Sequence, residues 1–142
     1  MKKRKTVTAC VTSQKNCERI ILAAKKIAEE EKCPLYVLSI QNSGEMTLEQ
    51  CEAVEYLYEL SKQNGAQMTV CYSDFAALTA IEFLKRNNSG CVVTGVPSAS
   101  GSGFVSTVSS VLPKIRISMV SDDGRIYSYF TTGCKAAAFV AV

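Results

Sequence analysis

The residues of this 142-residue chain best suited to chemistry gather in one stretch, 91–107, which begins CVVTGVPSASGSGF. Gly101 and Gly103 permit positive φ, so the backbone there can turn several amide hydrogens toward one point. Ser98, Ser100, Ser102, Ser106 and Thr107 add hydroxyl donors. A helix starting near Phe104 would aim its free N–H groups and the positive end of its dipole into the same loop. Such a loop suits an anion, a phosphate above all. The same residues also make an ordinary flexible polar connection. The loop lacks G-x-x-x-x-G-K-[ST] and contains no lysine, so it is not a P-loop. Gly101-Ser102-Gly103-Phe104-Val105-Ser106 approaches the dinucleotide pattern G-x-G-x-x-G/A but follows the fourth strand rather than the first.

The rest of the composition narrows the chemistry. The chain contains no histidine, which removes Ser-His and Cys-His nucleophile pairs, histidine metal ligands and a histidine phospho-acceptor. Nothing else points to catalysis, and the expectation is a protein that is not an enzyme. The seven cysteines are widely spaced without a C-x-x-C pair, so they read as reduced, core-filling thiols rather than a zinc or thioredoxin-like site. A net charge of +3 gives no nucleic-acid footprint, and the one basic cluster, Lys2-Lys3-Arg4-Lys5, reads as a solvated terminus. The apolar run behind it is too short for a signal peptide, and no segment has the length of a membrane span, so the expected location is cytoplasmic.

These residues need elements to position them. Thr6–Val11 is short and rich in β-branched residues, as a strand is. Asn16 is placed to cap a helix whose apolar stripe is Ile20, Ile21, Ala24, Ile27 and Ala28, with a Lys26–Glu30 pair on its outer face. Residues 35–40 (LYVLSI) form the near-continuous apolar run of a strand covered on both faces. Thr47-Leu48-Glu49-Gln50 is a capping box, and Ala53, Val54, Leu57, Tyr58 and Leu60 follow at helical spacing up to Asn64-Gly65. A third strand, Gln67–Tyr72, leads to a helix capped by Asp74 with a stripe of Ala77, Leu78, Ile81 and Leu84. Residues 91–94 give a fourth strand, Val105, Val108, Val111 and Leu112 a short fourth helix, and 115–121 a fifth strand.

Strand and helix thus alternate about five times, which predicts a single α/β domain with an open parallel sheet and helices on both faces. Ligands of such sheets sit beyond the carboxyl ends of the strands, which singles out the loops at 12–16 and 97–106. Asp122-Asp123-Gly124 predicts a turn and a β-hairpin into 126–130. The apolar tail after Cys134 must be covered, by its own sheet edge or by a second subunit. The boundaries drawn are 1–121 for the α/β domain and 122–142 for a C-terminal extension packing on the sheet edge or on a dimer partner.

Val7–Val11, the helix from Cys17, PLYVLSI, CVVTGVPSASGSGF and the STVSSVL–IRISMV end resemble the universal stress protein family over roughly residues 5–121. The likeness is closest to the stress-protein-like domain of KdpD-type potassium-sensor kinases. There a Ser/Pro-type loop likewise leads into a helix start like Asn16-Cys17-Glu18-Arg19. The resemblance implies a five-stranded parallel sheet of order 3-2-1-4-5, a homodimer through the last strand, and a signalling or stress-response role, with a sensor kinase or other signalling protein as partner. It also implies an adenine nucleotide, ATP or AMP, or a cyclic dinucleotide. Its phosphates would lie on Gly95, Ser98, Gly101, Gly103, Ser106 and Thr107, and its base near Thr12, Ser13 and Ile40. Two positions depart from the nucleotide-binding pattern of the family. Ser98 stands where the second glycine belongs, and Thr12 where an aspartate does. Losing that acceptor removes a charge-assisted hydrogen bond of about 1.5–3 kcal/mol, so tight ATP binding is not expected. The leading expectation is therefore a non-catalytic module acting through dimerisation and partner contacts, and the alternative is a nucleotide-binding protein.

Overall fold

The computed structural model describes residues 4–42, 44, 46–96, 103–131 and 137–141, with only the backbone of 130, 131 and 137–141. Among them, β1 (Thr6–Val11), α1 (Glu18–Glu31), β2 (Leu35–Gln41), α2 (Leu48–Gln63), β3 (Gln67–Tyr72), α3 (Ala76–Arg86), β4 (Ser89–Gly95), α4 (Phe104–Val111) and β5 (Arg116–Val120) alternate as the sequence predicts. β6 (Ile126–Thr131) and β7 (Ala137–Ala141) complete one sheet of order β3-β2-β1-β4-β5-β6-β7. The first five strands are parallel in the order 3-2-1-4-5. β6 pairs antiparallel with β5 and β7 antiparallel with β6. The hairpin turns on Gly124, whose φ of +86° only glycine adopts without strain. The outer edge of β5 is therefore taken within the chain, and β7 becomes the edge of the sheet.

Alternation along β1 divides the core. Val7, Ala9 and Val11 pack under α1 and α2 with Ile20, Ile21, Ala24 and Leu57. Cys10 faces the other way and joins Leu38, Leu84, Val92, Val108 and Met119 under α3 and α4. With β1 buried on both faces, each fully covered aliphatic side chain contributes about 1.5–3 kcal/mol of transfer free energy. Thr8, also fully buried, satisfies its hydroxyl against Ser89 Oγ at 3.0 Å.

Several local expectations are corrected. Asn16 does not cap α1. A 3-10 turn, Lys15–Cys17, precedes the helix, Cys17 occupies the cap position without a side-chain bond, and the Asn16 carbonyl is instead bound by Arg19. α1 pairs Lys25 with Glu29 at 3.8 Å, where Lys26–Glu30 was expected. Asp74 does not cap α3 either: Phe75 takes the cap position, and the Phe75 amide donates to Ser73 Oγ at 3.0 Å. The buried stripe of α3 is Ala80, Ile81, Phe83 and Leu84, while Leu78 is exposed. The Thr47–Gln50 capping box forms reciprocally as predicted, with bonds of 2.9 and 3.1 Å.

Candidate functional site

Every parallel βα unit delivers a strand carboxyl end and a helix N-terminus to the same rim of the sheet, so this rim carries outward-facing amides and positive dipole ends. Val7 and Ala9 of β1 lie beside Cys91 and Val93 of β4, and Val11 lies beside Ser39 of β2. This register brings the ends of β1, β2 and β4, and with them Thr12, Ser13, Ile40 and Gly95, to one place. Gly103, Ser106 and Thr107 stand at the start of α4, which packs on the α3 face. Ser98 and Gly101 lie outside the described residues.

Thr12 is exposed, and its Oγ1 lies 3.5 Å from Cys17 Sγ, closing the 12–17 loop on itself. Ile40 is half-buried against the α3–α4 core. Its neighbours Ser39 and Gln41 are buried, and Gln41 Nε2 donates to Ser39 Oγ at 2.5 Å. Gly95 is confined: a Cβ there would lie 3.4 Å from an Arg19 guanidinium nitrogen and 3.6 Å from Ile20 Cδ1. Gly103 holds φ +73° at the cap of α4 and supplies no capping side chain, so the first-turn amides of the helix receive no side-chain acceptor from it. Ser106 Oγ donates to the Gly103 carbonyl at 3.0 Å, and the Thr107 amide donates to the same oxygen at 2.8 Å.

Arg19 is the cation beside Gly95. Its Nε donates to the Ser121 carbonyl at 2.8 Å, one terminal nitrogen donates to the Asn16 carbonyl at 2.7 Å, and the other reaches the Val120 carbonyl at 3.4 Å and Asp122 at 3.2 Å. The Val120 carbonyl also accepts the Val96 amide at 3.2 Å. Arg19 therefore joins the β1 loop, the first turn of α1, the end of β4 and the β5–β6 turn. In that turn the Ser121 hydroxyl and the Arg125 amide both donate to Asp123, which lowers its pKa below the usual carboxylate value.

The sequence offers Arg19 only as part of the helix start Asn16-Cys17-Glu18-Arg19, and gives the Ser39–Gln41 pair no role in the site. Arg19 leaves a signal there all the same: a cation in the first turn of a helix opposes the dipole, so a tertiary partner must compensate. Among the described residues no cluster of three metal-capable side chains occurs, and no helix is long and apolar enough to cross a membrane.

No family model matches the chain, and no curated protein matches it. Solved structures do. A universal stress protein in complex with cAMP superposes with TM-score 0.63 at 13% identity, over 85% of this chain and 99% of that one. The universal stress protein of Archaeoglobus fulgidus in complex with dAMP gives 0.57 at 16%, over 80% and 94%. UspA of Lactobacillus plantarum gives 0.60 at 14%, over 84% and 99%. The fold is that of the universal stress proteins. The antiparallel β6 and β7 lie beyond the five parallel strands.

Of the positions to which the family resemblance points, Gly95 faces the Arg19 and Ile20 side chains, Gly103 holds a positive φ, and Thr12 supplies a hydroxyl where the resemblance implies a carboxylate.

Proposed function

We propose that this chain is a universal-stress-protein-type signalling or stress-response module, akin to the stress-protein-like domain of KdpD-type sensor kinases. In this reading it performs no chemistry of its own and acts by associating with itself and with a signalling protein. One observation carries it: the Arg19 guanidinium is engaged by three carbonyls and Asp122, so the cation beside Gly95 ties loops together instead of standing open to a triphosphate. The β7 edge is where two copies would pair, because β6 already occupies the edge of β5. Light scattering at micromolar protein tests this, a dimeric mass supporting the reading and a monomeric one counting against it.

A second reading is favoured by a specific observation. Two proteins of this fold were solved with cAMP and with dAMP, each carrying a single phosphate group, and α4 opens on Gly103 with no side-chain cap among the described residues. In this reading a mononucleotide or cyclic nucleotide phosphate meets the amides after Gly103, and its base lies near Thr12, Ser13 and Ile40. Calorimetric titration with ATP, AMP, cAMP and a cyclic dinucleotide separates the two, together with mass spectrometry of small molecules released from fresh protein. Saturable micromolar binding that disappears in Gly103→Val supports the second reading, and no heat with any of the four supports the first.

A further inference from the structure

The opposite rim of the sheet holds a cavity of about 460 Å³ that the preceding reading does not use. It lies between the start of β1, the α3–β4 turn and the α4–β5 connection. Its walls are of two kinds. Leu84, Leu112 and Ile115 give an apolar side, and Lys5, Lys85 and Lys114 give a cationic one. No carboxylate lines the cavity, and among the described residues none of the three ammonium groups has an ion-pair partner.

The site is held in shape by hydrogen bonds to backbone carbonyls. The Thr6 amide donates to the Asn88 carbonyl at 3.2 Å, Asn88 Nδ2 donates to the Arg4 carbonyl at 3.2 Å, and Thr6 Oγ1 donates to the Asn87 carbonyl at 2.9 Å. Lys5 is thus pinned from both sides against the α3–β4 turn. Its stem lies on Gly90, where an added Cβ would come within 2.9 Å of Lys5 Cδ. The missing side chain at position 90 makes room for this lysine.

Helix C-termini at this rim account for part of the positive charge. Each of α3 and α4 presents roughly half an elementary negative charge there, which leaves about two of the three lysine charges uncompensated. That surplus matches a dianion such as a phosphate monoester, for which lysine serves as a point-charge binder. The apolar side matches a hydrocarbon or ring body, and the volume is in the range of small-molecule pockets.

We infer that this cavity binds a phosphate monoester with an apolar body, its phosphate among Lys5, Lys85 and Lys114 and its body against Leu84, Leu112 and Ile115. The probe is n-octyl phosphate below its micelle concentration, titrated calorimetrically into the full chain, with inorganic phosphate and n-octyl glucoside as half-ligands. Saturable binding of octyl phosphate is expected, at least tenfold tighter than inorganic phosphate, with no saturable heat from the glucoside. The double variant Lys85→Gln/Lys114→Gln changes exposed positions and should weaken binding at least tenfold. Gly90→Ala, which displaces the Lys5 stem, should weaken it severalfold, and Thr12→Asp at the other rim should leave it unchanged. Phosphatidylcholine vesicles doped with phosphatidic acid distinguish the source of the phosphate. Lysine-dependent co-sedimentation together with octyl phosphate binding points to a lipid headgroup, and octyl phosphate binding without co-sedimentation to a soluble metabolite. Absence of saturable octyl phosphate binding, or binding unaltered in the double variant, overturns the inference.

Discussion

Arg19 Nε donates a 2.8 Å hydrogen bond to the carbonyl of Ser121, 102 residues further along the chain. This bond and its companions to Asn16 and Val120 fasten the first turn of α1 to the end of β5. The end of β4 is attached to the same Val120 carbonyl through the Val96 amide, so three segments of the carboxyl rim meet here.

Arg19→Ala should lower stability by about 2 kcal/mol, since the guanidinium is largely covered and its carbonyl partners lose a charged donor. Thermal unfolding should drop by roughly 5–10 °C for a chain of this size. Arg19→Lys should recover only part of the loss, because an ammonium cannot reach three divergent carbonyls as a planar fork does. Asp122→Asn should change stability by less than about 0.5 kcal/mol, because its carboxylate is 92% exposed. An Asp122 effect as large as that of Arg19 would move the anchor from the carbonyls to the ion pair.

Gly103→Ala forces a Cβ into a left-handed backbone and should cost about 1–2 kcal/mol. Gly65→Ala, at φ +69° beyond the end of α2, makes a control with the same strain away from the candidate site. Equal losses of stability in both variants, measured by urea unfolding, with nucleotide binding lost only in Gly103→Ala, would separate strain from ligand contact.

Thr12→Asp restores the acceptor that the resemblance implies. If a nucleotide ribose lies there, affinity for AMP should rise about tenfold or more, given about 1.4 kcal/mol per decade and the strength of a charge-assisted bond. Calorimetry of the two proteins under one buffer measures it, and no change in affinity would remove the base and ribose from this corner.

Burial pushes the Cys10 thiol up to about 12. The unfolded chain loses this proton above about pH 8.5 while the folded chain keeps it. Stability is therefore intact below that pH and falls as pH rises toward 12, by at most about 1.4 kcal/mol per pH unit for this group. Urea unfolding between pH 8 and 11 should show the decline, and Cys10→Ala should flatten it. In the native state at pH 7.5, a thiol reagent should modify the exposed Cys51 rapidly and Cys10 only on unfolding.

The elements were legible wherever one local rule sufficed. LYVLSI had to be a doubly covered strand because both its faces are apolar, and Thr47 and Gln50 close their capping box within four residues. Asp122-Asp123-Gly124 forced the hairpin through a backbone angle reserved for glycine. Asn16 and Asp74 misled because capping propensity is weak, and neighbouring groups, the Arg19 guanidinium and Ser73 Oγ, took over the local geometry.

What the sequence alone determined is the alternation of buried strand and amphipathic helix, and through it the parallel sheet with its helix N-termini on one rim. Periodicity is a property of neighbours in the chain, so it survives without coordinates. Tertiary structure alone decided that Arg19 closes that rim on Ser121 and that Lys5, Lys85 and Lys114 face one cavity. Those groups are separated by tens of residues, and only folding sets the distances and shielding on which their interactions depend.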